Sequence, residues 1–150
     1  MEKSIKKQLH ELLLGAIEEQ LKNALERMDE ALEAVKSDTK STAGDKHETG
    51  RAMAQLEQEK AGKLIQSIKH NRNHLLQLPL TSSDKVELGA LVKTTKGRFY
   101  ISMAMGKISL DGVSYFTVSP SAPLVQAMMK KKLGDKFSFN NIEQEILKIQ

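Results

Sequence analysis

Cysteine and tryptophan are missing from this 150-residue chain, and aromatic residues make up only 4 % of it. The first absence excludes disulfides and cysteine-ligated zinc. The second leaves little material for a large core or for an aromatic-walled pocket. No apolar run approaches the ~20 residues that cross a bilayer. The opening Met1-Glu2-Lys3-Ser4-Ile5-Lys6-Lys7 continues into charged helical sequence, not into a signal peptide. Nucleophile–His–Asp arrangements, phosphate loops and dinucleotide fingerprints are also lacking. The expectation is a soluble, cytoplasmic, monomeric protein with no membrane association and no self-contained active site.

What is present divides into two textures. Residues 1–78 carry 13 Lys/Arg and 13 Asp/Glu, whereas residues 79–150 carry 10 and 6, so the net charge of +4 belongs to the second half. That bias permits an anionic partner without demanding one. In the first half, Ile5, Leu9, Leu13, Ile17, Leu21, Leu25, Met28, Leu32 and Val35 recur every three or four residues, the period of a helical stripe. A second stripe runs through Met53, Leu56, Lys60, Leu64, Ile68, Arg72 and Leu75, the two cations laying apolar stems along the seam. Between them the Ser/Asp/Thr/Gly-rich stretch 37–44 reads as a loop. Two helices of roughly 33 residues, each about 50 Å long, predict an antiparallel hairpin over 1–78.

Leu78-Pro79-Leu80-Thr81-Ser82-Ser83-Asp84 breaks the pattern, and 79–84 is the predicted linker. In residues 85–150 strands are expected at 86–92, 98–103, 107–110, 113–118, 136–139 and around 145–149. Asp111-Gly112 is the strongest hairpin signal. Pro123 opens a short helix predicted over 122–132. The predicted class is therefore α+β: a helical coiled-coil hairpin, then a small, mostly antiparallel β domain with one short helix.

Four features invite a functional reading. Asp45 and Glu48, three residues apart in the turn 41–48, form a capping box on local sequence; aimed outward, they are instead two ligands of a divalent cation. Two carboxylates hold Mg²⁺ poorly alone, because that ion takes six oxygens, so a partner would supply the rest. His70 and His74 are four apart, but Asn71, Arg72 and Asn73 separate them where a metal-binding helix has Glu. Lys130-Lys131-Lys132 suits a helix terminus or an acidic or phosphate-bearing surface. Met103, Met105, Met128 and Met129 read as core filler.

Gly44-Asp45-Lys46-His47-Glu48 is similar to the tip signature Gly-Asp-x-x-Glu of the bacterial Gre family of transcription elongation factors. Pro123-Leu124-Val125-Gln126-Ala127-Met128-Met129-Lys130-Lys131-Lys132-Leu133-Gly134-Asp135 resembles that family's Ser-Pro-x-x-x-Ala-Leu-x-x-Lys-x-x-Gly-Asp. The second motif is the more specific, since it fixes Pro, Ala, Lys, Gly and Asp in register. The resemblance implies a coiled coil followed by an FKBP-like domain. It implies a protein that is not itself an enzyme but binds RNA polymerase and sends the coiled coil down the secondary channel. There Asp45 and Glu48 would help hold a Mg²⁺ shared with the polymerase's active site, which cleaves backtracked RNA near its 3′ end. Pro123, Ala127, Lys130, Lys131, Lys132, Gly134 and Asp135 would serve partner binding, with Lys40, Gly44 and Arg51 supporting the tip.

The sequence departs from the family where Thr49-Gly50-Arg51-Ala52 replaces Asn-Ala-Glu-Tyr after the tip. Ser41 stands where Arg is usual, with Lys40 nearby. In the second motif Ala122 replaces Ser and Gln126 replaces Arg. Two alternatives stay open: a secondary-channel regulator without cleavage activity, a DksA-like strategy, and an FKBP-like isomerase or chaperone module.

Overall fold

In the computed structural model, residues 4–39 and 44–150 are described, with side chains described for 4–36 and 49–150. The chain is α+β: a helical hairpin, then a six-stranded mixed sheet with one short helix. Helix α1 spans Ile5–Thr39 and α2 spans Gly44–Leu76; α3 is Pro123–Met128. The strands are β1 (Leu91–Thr94), β2 (Gly97–Ile101), β3 (Gly106–Leu110), β4 (Val113–Val118), β5 (Lys136–Phe139) and β6 (Ile142–Ile149). Two compact units result. One holds residues up to Leu13 together with His74–Gln150, and the other holds Leu14–Asn73. Among the described residues no helix is long and apolar enough to cross a membrane.

In the Leu14–Asn73 unit the seam is built from small residues. Ile17, Ala24 and Ala31 of α1 are buried, as are Ala54, Ala61, Ile65 and Ile68 of α2. Half of the predicted stripe lies off this seam: Leu25, Leu32, Met53, Leu56 and Leu64 are exposed. The cause is a one-position phase shift. In α1 the seam uses Ala24 and Ala31, not Leu25 and Leu32. In α2 it uses Ala54, Ala61 and Ile65, not Met53, Leu56 and Leu64. The position predicted for Lys60 shifts in the same way, whereas Arg72 keeps a half-buried position between exposed neighbours. Lys60 is solvated beside Glu57, and Arg72 donates to the Glu18 carboxylate of α1. A Cβ at Gly62 would touch the Met28 side chain at 3.4 Å, ordinary contact across the seam.

In the other unit the strand order is β3-β4-β2-β1-β6-β5. β2 and β4 pair in parallel; the remaining neighbours are antiparallel. Val86, Ala90, Val92, Phe99, Ile101, Val125, Met128, Phe137 and Ile146 form the core between one sheet face and α3. The strand expected over 86–92 begins only at Leu91. Gly89 turns the chain at φ +89°, and a side chain there would meet the Pro79 carbonyl oxygen at 3.0 Å. Asp111 and Gly112, at φ 51° and 78°, make the expected β3–β4 turn. Asn140 and Asn141, at φ 52° and 64°, make a second such turn, so β6 starts at Ile142, earlier than expected.

The first turns of α1 belong to this same unit. Leu9 and Leu13 are buried there with Leu75 and Leu78. The buried Lys6 ammonium donates to the carbonyls of Thr81 at 2.7 Å and Gln150 at 3.1 Å. A His10 ring nitrogen lies 2.7 Å from the Leu75 carbonyl. Burial lowers the Lys6 pKa, and the Glu87 carboxylate opposes that shift.

Candidate functional site

The hairpin turn comes first. The backbone of α2 begins at Gly44, which makes Asp45 a first-turn residue and not the residue that precedes a helix as a cap does. Asp45 and Glu48 are three positions apart on a helix, which places them on one face. Acidic groups in a first turn also complement the helix dipole. Their side chains lie outside the described residues, as does Lys40. Arg51 is exposed and stands one helical turn after Glu48. Gly50 lies inside the helix rather than in a turn.

The second candidate is α3 with the loop after it. Pro123 occupies the first helical turn, where its missing N–H costs nothing. The Gln126 amide donates to the Pro120 carbonyl at 2.7 Å, and Ser119 and Ser121 share a hydroxyl contact at 2.8 Å. Ala127 faces the core. The helix ends at Met128, earlier than the predicted 132, because Met129 is extended and Lys130 enters the left-handed region at φ 66°. Lys130 N–H donates to the Val86 carbonyl, and Val86 N–H donates to the Lys131 carbonyl, both at 2.8 Å. The Asp135 carboxylate accepts from the Lys132 N–H at 2.8 Å; Gly134 follows the left-handed path at φ 86° and donates to the Ile146 carbonyl.

Each motif residue thus has a position with a physical reason. Pro123 starts the helix, Ala127 seats it, Gly134 turns the chain and Asp135 ties the turn. Lys130, Lys132 and Leu133 are left exposed on a backbone fixed at both ends. Leu133, directly after Lys132, is 64 % exposed, an apolar side chain that the motif does not single out.

A third feature was not predicted. Lys93 of β1 stands opposite Arg98 of β2 and opposite Lys148 of β6, so three cations cross three adjacent strands. Like charges directly opposite one another cost stability. They border a cavity of about 300 Å³ whose other walls include Ile5, Val113 and Tyr115. Tyr115 is the one aromatic residue among these, and it is buried. The signal available in the sequence was the basic excess of residues 79–150; the alignment depends on strand register.

His70 and His74 are both exposed, and among the described residues no group of three His, Asp or Glu side chains is placed to hold a metal ion. Met128 is fully buried in the core and Met129 packs against it, as filler does.

No protein-family model matches the chain, and no curated protein matches it. Among solved structures it is similar to the GreA factor homolog 1 (Gfh1) protein of Thermus thermophilus. Identity there is 20 %, with 91 % of this chain and 94 % of that one covered, at a TM-score of 0.38. It is similar also to Thermus aquaticus Gfh1, at 18 % identity, 90 % and 92 % coverage and a TM-score of 0.35. A further structure described as the transcription factor Gfh1 aligns at 19 % identity and a TM-score of 0.37, covering 91 % and 92 %. Likeness at this level leaves function to be argued from the residues of the chain itself.

Proposed function

We propose that this chain is a Gre-like transcription factor that binds RNA polymerase and stimulates cleavage of backtracked RNA by the polymerase's own active site. The observation that carries the reading is the placement of Gly44-Asp45-x-x-Glu48 at the start of α2, with both acidic positions on one helix face. Within the Leu14–Asn73 unit, α2 alone extends about 45 Å from Gly44 to Asn73. A paired-helix arm of that length can carry two carboxylates into a narrow channel.

The donor set fits a shared Mg²⁺: two hard oxygen ligands, too few for a resident ion, suited to completing a shell the polymerase begins. When bound, such an ion stabilises the attacking and leaving oxygens of phosphodiester hydrolysis. Asp45 and Glu48 would contribute ligand oxygens, and the first turn of α2 would fix their spacing. Docking is assigned to the α3 loop, where Lys130, Lys132 and Leu133 stand exposed on a fixed backbone. In this reading the protein acts as a monomer in the cytoplasm beside the polymerase, and its sheet unit is FKBP-like.

One observation favours a second reading, a channel-binding regulator without cleavage activity. Arg51, one turn beyond Glu48, places a cation where the family has an acid. An Arg three positions after Glu pairs with it on a helix face and competes with an ion for its oxygens.

Purified protein added to backtracked elongation complexes separates the two. The cleavage reading expects shortened RNA, abolished by Asp45→Asn or Glu48→Gln with polymerase affinity nearly unchanged. Affinity without cleavage supports the regulator. Wild-type cleavage by both variants would reduce the pair to first-turn helix stabilisers.

A further inference from the structure

Met53, Glu57, Lys60 and Leu64 lie along one face of α2 at spacings of four, three and four. They border a groove of about 640 Å³ between α1 and α2, floored by Ala54 and Ala61. Met53 is 65 % exposed and Leu64 40 %, while the alanines beneath are nearly inaccessible. A groove with a small-residue floor and two large apolar side chains on its rim is shaped to receive side chains of similar size.

The stripe is self-complementary on reversal. Reversed about a point midway between Gln58 and Glu59, it places Met53 on Leu64 and Glu57 on Lys60. We propose that this face pairs with a second copy of the chain, α2 lying antiparallel to α2 of the partner about a two-fold axis through that point. Each copy then sets Met53 against the partner's Leu64, and Glu57 against the partner's Lys60. Two apolar layers bracket two opposite-charge pairs over about 16 Å of helix. The relation is isologous, so a single patch supplies both halves of the interface. The present Glu57–Lys60 contact, 3.6 Å within one helix, is solvated on both sides and holds neither group firmly. Exchanging partners therefore sacrifices little. Across the groove, Arg27 and Glu30 of α1 repeat a basic–acidic pair three residues apart. A second copy is favoured over an unrelated helix because the charge order is the complement of its own reverse, acid meeting base at both positions. The inference does not rest on polymerase binding; it concerns the free chain, and the monomer in equilibrium with this dimer is the form that enters the channel in the reading above.

Sedimentation of the full chain at increasing concentration, with circular dichroism to confirm folding, tests it. Wild type should shift from monomer to dimer. Glu57→Lys alone or Lys60→Glu alone, each creating two like-charge contacts, should weaken dimerisation at least about tenfold. The double variant Glu57→Lys/Lys60→Glu should restore it. Because the chain has no cysteine, Met53→Cys/Leu64→Cys offers a second measure. Oxidation should yield a covalent dimer from the double variant and none from either single one. A wild type that stays monomeric to its solubility limit overturns the proposal. So do single charge reversals without effect, or equal cross-linking by the single cysteine variants.

Discussion

Ala24 and Leu25 are neighbours in α1 with opposite fates, and exchanging their sizes tests where the helical seam runs. Ala24 is 2 % exposed and Leu25 45 % exposed. Leu25→Ala removes a side chain about half in water, so it forfeits about 1 kcal/mol of the ~2 kcal/mol that full Leu burial supplies. It leaves no closed cavity to add to that loss. Ala24→Leu forces three extra carbons between closely packed helices, an overpacking cost of about 1–3 kcal/mol. The hydrophobic period alone gives the reverse order. With Leu25 in the seam its truncation would cost about 3–5 kcal/mol, and enlarging a solvated Ala24 would cost almost nothing. Urea unfolding followed by far-ultraviolet circular dichroism reads both values. If Leu25→Ala proves clearly more damaging than Ala24→Leu, the alanine seam is wrong, and so is the groove built on it.

Other outcomes follow from single environments. Gly15 lies inside α1 with nothing within 4 Å of where a Cβ would stand, so Gly15→Ala should raise stability by about 0.5–1 kcal/mol in the same titration. Tyr100 is fully buried, and burial pushes its hydroxyl pKa up to about 12. The folded state therefore resists ionisation that the unfolded chain accepts near pH 10. Stability intact below that pH should fall by about 2–3 kcal/mol on reaching pH 12, and Tyr100→Phe should flatten that loss. Lys6 runs the other way, because burial lowers its pKa from 10.5. Between its folded and unfolded values only the unfolded chain stays charged, so stability should rise with pH through that window. Measured in a Tyr100→Phe background, Lys6→Met should abolish the rise; an unchanged slope would refute the assignment.

The helices, the break at Pro79, the Asp111-Gly112 turn and the start of α3 were legible because each is set by residues close in sequence. Period and turn chemistry are local signals. The seam was not legible in the same way. Leucine and alanine both satisfy a helical stripe, and a shift of one position rotates a helix by only about 100°. Which face closes is decided by how near the two backbones can come, and four alanines let them approach where leucines would hold them apart. Strand 86–92 failed for a different reason. Gly89 fits a strand on local pattern, yet its left-handed conformation and the Pro79 carbonyl beside it are properties of the folded chain.

The candidate site divides along the same line. The acidic pair at the start of α2 and the Pro-to-Asp run around α3 were readable as words in the sequence, since their spacing alone places them. The left-handed Lys130, which donates to the Val86 carbonyl, and Lys131, which accepts from the Val86 N–H, join residues more than forty positions apart, and no local pattern announces them. The row of Lys148, Lys93 and Arg98 is a stronger case. A slip of one residue in the β1–β6 register would turn Lys148 to the opposite face and break the row. What holds the register is the irregularity between Lys93 and Thr94 together with the paired bonds of Leu91 and Gln150 at the strand end. The sheet thus sets like charges opposite one another, at a cost in stability, in a register that no residue of the row announces by itself.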